Sequence, residues 1–352
     1  MFRIIKKPEL SPGRAVLSQI LAILVSLCAA AIIVLILGYN PIEFYANLVK
    51  GALGSAYRVR ATFNKAIPLV ILSLGTLIAF KMKFWNIGAE GQMCMGAFGA
   101  AYFALNFSHL PAYVLLPLMA LAGLVCGGIW ALIPALLKVK FGTSETLVTL
   151  MLNYVALRWI TYLQYGPWRE VGGMPKIATF EANAVLPSVF GIHIGWIIAL
   201  VLTVFVYILM TRTKFGYEIS VLGESQATAR YAGINVNKTI VIAILLSGAL
   251  CGLAGMVQSS AVEKTLTEQF TGGLGFTAVI TTYLARLSAP AIIVTSFLFA
   301  ILLAGGSFLE TSMRIPISMI YAMQAVIIFF VLGSEFFLNY KIVPRAGKGG
   351  AK

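Results

Sequence analysis

The sequence predicts an all-α, polytopic membrane protein of about ten transmembrane helices, some of them discontinuous, with an internal repeat. Three observations carry that prediction. Of 352 residues, 60% are hydrophobic and 11% are charged, where soluble domains average about 25% charged. Apolar runs recur from Ala15 to Phe337 with short polar connections. Two polar, glycine-bearing interruptions, residues 84–92 and 270–276, each precede a short apolar run.

Absences narrow the chemistry. Twenty-six Lys and Arg stand against 12 acidic residues, all Glu, for a net charge of +14. In so apolar a chain this excess points to cytoplasmic loops and anionic lipid, not to nucleic acid. The histidines His109 and His193 are isolated at loops or span edges, which leaves no metal cluster. Cys28, Cys94, Cys126 and Cys251 lie in apolar runs without CxxC spacing and read as buried structural thiols. No nucleophile–base pair and no P-loop motif is present, so neither catalysis nor ATP binding is expected of this chain.

The elements follow in order. Residues 1–14 form a basic cytoplasmic segment with Arg3, Lys6, Lys7 and Arg14, and Ala15–Gly38 is long enough to span. The small residues Ala29–Ala31 suggest a signal cleavage site, but apolar chain continues past them to Gly38, so a retained first span is expected. Asn40-Pro41 reads as an N-cap followed by proline at the first helical position. Ile42, Tyr45, Val49 and Leu53 then recur at helical spacing, as in a helix lying in the outer interface. Lys50, Arg58, Arg60 and Lys65 strain the positive-inside rule there.

Ile67–Phe80 and Met93–Phe107 are each shorter than the roughly 20 residues of a full span. They read as halves of a discontinuous pair around Phe84-Trp85-Asn86-Ile87-Gly88-Ala89-Glu90-Gly91-Gln92. Irregular backbone at membrane depth is tolerated only where protein or a water-filled cavity covers it, so this stretch is placed on a translocation pathway. Asn86, Glu90 and Gln92 would face that pathway, or Glu90 would be a fixed strut of the broken helix. Ala112–Leu137 spans back to a basic turn at Lys138 and Lys140. The next helix opens with Thr143 as N-cap and Glu145 in its first turn. Thr146, Thr149 and Asn153 form a stripe that either lines the pathway or bonds neighbouring helices.

Residues 166–192 are the longest external loop, and Ile194–Thr211 spans back inside. The cytoplasmic loop 212–238 holds a short helix, Ser225–Ala232, ended by Gly233, with Arg230 and Tyr231 prominent for docking a partner. Thr239–Ser260 spans outward, Phe270-Thr271-Gly272-Gly273-Leu274-Gly275-Phe276 repeats the glycine break, and Ala291–Gly306 and Ile317–Phe337 are the last spans. The transmembrane domain is thus 15–339, followed by a basic cytoplasmic tail, 340–352.

Three stretches together resemble a known family. They are Phe84 to Gln92; Gly142-Thr143-Ser144-Glu145 through Asn153-Tyr154; and Phe215-Gly216-Tyr217 through Arg230-Tyr231-Ala232-Gly233-Ile234. In this order they resemble the permease subunits of bacterial ABC importers of the branched-chain amino acid and simple-sugar type. Among these, the longer permease of nucleoside uptake systems is most similar. The resemblance implies a bacterial cytoplasmic membrane location, a second and shorter permease, a cytoplasmic ATPase holding ATP and Mg, an extracytoplasmic substrate-binding lipoprotein, and nucleoside as substrate. It also implies that the stretch carrying Gly216, Gly223, Glu224, Ala227, Arg230, Tyr231 and Gly233 couples to the ATPase. Ser220 and Ser225 depart from the Arg and Asn of many relatives. A monosaccharide importer permease and a stand-alone secondary transporter are the alternatives.

Overall fold

A computed structural model describes residues 2–6, 12–170, 175–316, 318–323, 325, 326, 329, 330 and 340–344. Most of the expected span Ile317–Phe337 and of the tail therefore lies outside the described residues. The chain forms two compact units, Met1–Gly51 with Gly305–Lys352, and Ala52–Ala304.

In the first unit, strand β1 (Phe2–Lys6) pairs antiparallel with β4 (Tyr340–Pro344), which sets the two ends of the chain side by side. Helix α1 (Pro12–Ile36) has 25 residues, about 37 Å at 1.5 Å per residue and enough to cross a bilayer. Asn40 and Pro41 start α2 (Pro41–Leu53) as expected: the Ile42 amide donates to Asn40 Oδ1 at 2.9 Å. The bend between Leu24–Ile36 and Pro41–Leu53 is 114°, which turns α2 out of the line of α1. Tyr45 Oη donates to the Leu27 carbonyl at 2.7 Å and fixes that bend. Cys28, expected to be buried, is exposed on α1.

The second unit is built on α3 (Ala56–Lys81), α4 (Ala89–Asn106), α5 (Ala112–Phe141) and α10 (Val236–Val257). Here the chain departs from the expected half-spans. Helix α3 has 26 residues and is a full span, because it begins eleven positions before the apolar run, at a Ser55 cap whose Oγ accepts from the Arg58 amide. Hydropathy sees only the part flanked by charge, whereas the helix continues through Arg58, Arg60 and Lys65. Among the described residues six helices are long and apolar enough to cross a membrane, or seven if the bent pair counts as one, against the ten crossings expected. Helix α4 is not one of the six, and α11 (Leu274–Leu284) is only 11 residues long.

Small residues bring α4, α5 and α10 to backbone contact. A Cβ added at Gly252 would overlap the Gly123 carbonyl and lie 2.8 Å from Gly127 Cα, and one at Gly96 would overlap Gly252. No side chain fits between these backbones, so the association rests on dispersion and close approach. Helix α6 (Glu145–Tyr165) packs against α4. Its N-cap is Ser144 and not the expected Thr143, and no side chain caps it. Instead Glu145 pairs with Lys138 of α5 at 2.7 Å, which holds the turn between the two helices. The loop before α7 carries a hairpin of β2 (Ser188–Val189) and β3 (Ile192–His193), after which α7 (Gly195–Arg212) packs against α3. Helix α12 (Ala289–Met313) follows α11, and the described residues 318–323 beyond it are helical as well.

Candidate functional site

The first break is a tight loop built by its own side chains. Asn86 Oδ1 accepts from the Gly88 amide at 3.0 Å and from Gln92 Nε2 at 3.0 Å, closing residues 86–92 on themselves. Asn86 Nδ2 donates to Gln92 Oε1 at 3.2 Å and to Ser247 Oγ of α10 at 3.3 Å. The Ser247 hydroxyl in turn donates to the Gly75 carbonyl of α3 at 2.7 Å. Asn153 of α6 reaches the same loop: its Oδ1 accepts from the Gly91 amide at 2.8 Å, and its Nδ2 donates to the Ile87 carbonyl at 2.9 Å. Backbone groups freed at the start of α4 are thus satisfied by carboxamides, as a buried helix end requires.

The second break meets the first. Gly272 and Gly273 have φ of +53° and +73°, conformations that favour glycine, and they turn the chain into α11 with its amides aimed at α4. The Gly275 amide donates to Glu90 Oε2 at 2.6 Å. The Thr271 side chain and the amides of Gly273 and Phe276 also hydrogen-bond to that carboxylate. A carboxylate at a helix N-terminus satisfies orphan amides and faces the positive end of the helix dipole. One side chain of α4 therefore caps α11.

Asn86, Glu90, Gln92, Thr149 and Asn153 are each at most 2% exposed. The structure brings Asn86, Gln92 and Asn153 into one network and Glu90 onto α11. Thr149 packs against Gly88 of the first break, where an added Cβ would lie 3.0 Å from its own, while its hydroxyl donates back to the Glu145 carbonyl at 2.8 Å. Four further hydroxyls were not read from the sequence: Ser73 meets Thr281 at 2.5 Å, and Thr76 meets Thr282 at 2.7 Å, between α3 and α11. Their signal was the i, i+3 spacing of Ser73 and Thr76 on an apolar helix.

The loop 212–238 folds as two helices, α8 (Lys214–Glu224) and α9 (Gln226–Tyr231), and not as the single short helix expected. Ser225, with φ −158° and ψ 123°, breaks them and caps α9 through its side chain, which accepts from the Thr228 amide at 3.2 Å. Gly216 and Gly223 are buried: a Cβ at the first would overlap the Leu209 carbonyl of α7, and one at the second the Lys81 carbonyl of α3. Glu224, Ala227, Arg230 and Tyr231 are exposed, Tyr231 at 97%, and Gly233 ends the helix at φ +76°. The loop is seated on α7 through Gly216 and on the end of α3 through Gly223, buries Ile219, Leu222 and Ala229, and presents Glu224, Ala227, Arg230 and Tyr231 outward.

A helical membrane domain whose two breaks brace each other, beside a two-helix loop seated on a span, is the architecture of a transport subunit. The family described as "Branched-chain amino acid transport system / permease component" matches residues 59–332, and the chain belongs to it. The glucose ABC transporter permease TsgB13 of Haloferax volcanii is 32% identical, over 92% of this chain and 89% of that protein. The nucleoside ABC transporter permease NupB of Lactococcus lactis is 32% identical, over 95% and 94%. The guanosine ABC transporter permease NupP of Bacillus subtilis is 30% identical, over 90% and 93%. The protein is an ABC transporter permease, a multi-pass transport component of a system whose ATPase activity lies in partner subunits.

Proposed function

We propose that this chain forms the translocation pathway for nucleosides in an ABC importer of the bacterial cytoplasmic membrane. Its partners in this reading are a second, shorter permease, a cytoplasmic ATPase holding ATP and Mg, and an extracytoplasmic substrate-binding lipoprotein. The observation that carries it is that two relatives similar over nine-tenths of the chain are named for nucleoside or guanosine. The equally similar glucose permease favours a second reading, a monosaccharide pathway. The basic residues Arg3, Lys6 and Lys341 on the paired strands support a cytoplasmic side for both termini in this reading.

In this mechanism α9 docks on the ATPase through Ala227, Arg230 and Tyr231, with Gly233 ending it. Closure of the ATPase moves α8, and Gly216 and Gly223 pass that motion to α7 and to the end of α3. The α3 end leads directly into the loop held by Asn86 and Gln92, so the motion arrives at the meeting of the breaks. Asn86, Glu90, Gln92 and Asn153 brace the wall of the pathway, and Thr149 fills the face of α6 beside it. Alternating access follows if the outward and inward states bind solute differently. ATP-dependent uptake of radiolabelled guanosine by the reconstituted importer, against excess ribose or glucose, tests the reading. Competition by other nucleosides and not by sugars is expected; uptake of glucose with none of guanosine overturns it in favour of the sugar pathway.

A further inference from the structure

A cavity of about 540 Å³ lies between the end of α3, the loop that follows it and α8, within the range that small-molecule sites occupy. One wall is aromatic. Trp85 stacks on Tyr283 with ring centroids 5.7 Å apart and planes 28° apart, and Phe80 lies 5.1 Å from Tyr283. Trp85 keeps 47% of its surface exposed although it belongs to this cluster. A half-open indole backed by a second ring is a platform for a planar aromatic ligand.

The rim is cationic. Lys81 and Lys83 line the cavity, and neither is in an ion pair among the described residues. Lys83 occupies the left-handed region, φ +58°, just past the end of α3, with its amide donating to the Phe80 carbonyl at 2.9 Å. Glycine takes this backbone conformation at helix ends without a Cβ penalty, so what lysine adds there is its side chain. Lys81 already complements the helix dipole. On the α8 side stand Ser220 and Glu224, a hydroxyl and a carboxylate that accept hydrogen bonds from N–H groups.

We propose that this cavity is a cytoplasm-side site for a nucleoside monophosphate, whose base stacks on Trp85, itself backed by Tyr283, and whose phosphate pairs with Lys81 and Lys83, and that its occupancy restrains transport. The inference rests on the ABC permease reading and its orientation, but not on which solute is carried. A ligand spanning the cavity joins α8 to the end of α3. The coupling motion has to displace those two elements, so binding stabilises one state against the other, and the coupling is reciprocal.

The test uses the intact complex of this chain with its partner permease and ATPase. Radiolabelled guanosine 5′-monophosphate binding is measured without ATP, and ATP-driven uptake is measured with that nucleotide on the ATPase side. Saturable binding is expected, at least tenfold tighter than that of guanosine or inorganic phosphate, together with nucleotide-dependent inhibition of uptake. Trp85→Ala and Lys83→Ala should each weaken binding about tenfold or more, and Trp85→Phe should restore most of it. Unchanged binding in both variants overturns the site, as does guanosine binding as tightly as the nucleotide. Binding without any effect on uptake overturns the restraint. If Trp85→Ala does not assemble, the exposed Lys83 decides through Lys83→Ala. A complex that binds the nucleotide yet carries glucose removes the nucleoside pathway and leaves this site standing.

Discussion

The Gly275 amide donates to Glu90 Oε2 at 2.6 Å across 185 positions of chain, and this bond joins the two glycine-rich breaks of the protein. Glu90 is 2% exposed, and its carboxylate is engaged by the start of α11. A residue that reads along the chain as a pathway carboxylate or as a strut of its own broken helix is, in the folded state, bonded to the start of another helix.

Glu90→Ala leaves the first amides of α11 without an acceptor in a buried place. A loss of about 3 kcal/mol is expected, the worth of a hydrogen bond to a charged group plus the stranded amide, seen as a lower melting temperature of the purified complex. Glu90→Gln keeps one acceptor oxygen and should lose less. Uptake per assembled Glu90→Gln complex should stay near wild type. If stability is unchanged while uptake collapses, the carboxylate acts on solute and not on α11.

Gly252→Ala inserts a methyl group where the backbones of Gly123 and Gly127 already touch α10. Overpacking of this kind costs about 1–3 kcal/mol. Thermal denaturation monitored by size-exclusion chromatography should show it. Ile242→Ala, on the exposed face of the same helix, gives the comparison, and equal tolerance at both positions would contradict the close approach.

Gly223→Val would push α8 off the Lys81 carbonyl. The proposed coupling route then breaks while α9 remains exposed to its partner. Expected are an assembled complex that hydrolyses ATP and fails to move solute. Normal uptake by that variant would rule out the contact between α8 and α3 as the route.

His193, in the β2–β3 hairpin, is 3% exposed. Burial holds its imidazole below the ordinary value of 6.5, with the Asn64 carbonyl acting weakly the other way. The unfolded chain therefore binds a proton that the folded chain refuses, between the lowered folded value and about 6.5. Stability should fall as pH drops through that window and be flat above it. Denaturant midpoints for wild type and His193→Gln, taken from pH 7.5 downward, should converge as the wild type weakens; parallel profiles would assign the acid sensitivity elsewhere.

Hydropathy was enough to class this chain. Composition marked a helical membrane protein, and Asn40-Pro41, the Ser225 to Gly233 helix and both glycine breaks were legible because caps, prolines and glycines act on their immediate neighbours. The full length of α3 was not legible, since Arg58, Arg60 and Lys65 continue a helix that a hydropathy window ends at the charge.

The order of residues requires polar groups to interrupt apolar runs at residues 84–92 and 270–276, with their chemistry in carboxamides, one carboxylate and glycines. Which of these groups satisfies which is settled only in the folded chain. Asn86 took Gln92 and Ser247, Asn153 took Gly91 and Ile87, and Glu90 took α11. A buried donor or acceptor must find a partner, but nothing local says where along the chain that partner is, and only the close packing of glycine-bearing backbones brings the two breaks within hydrogen-bonding distance.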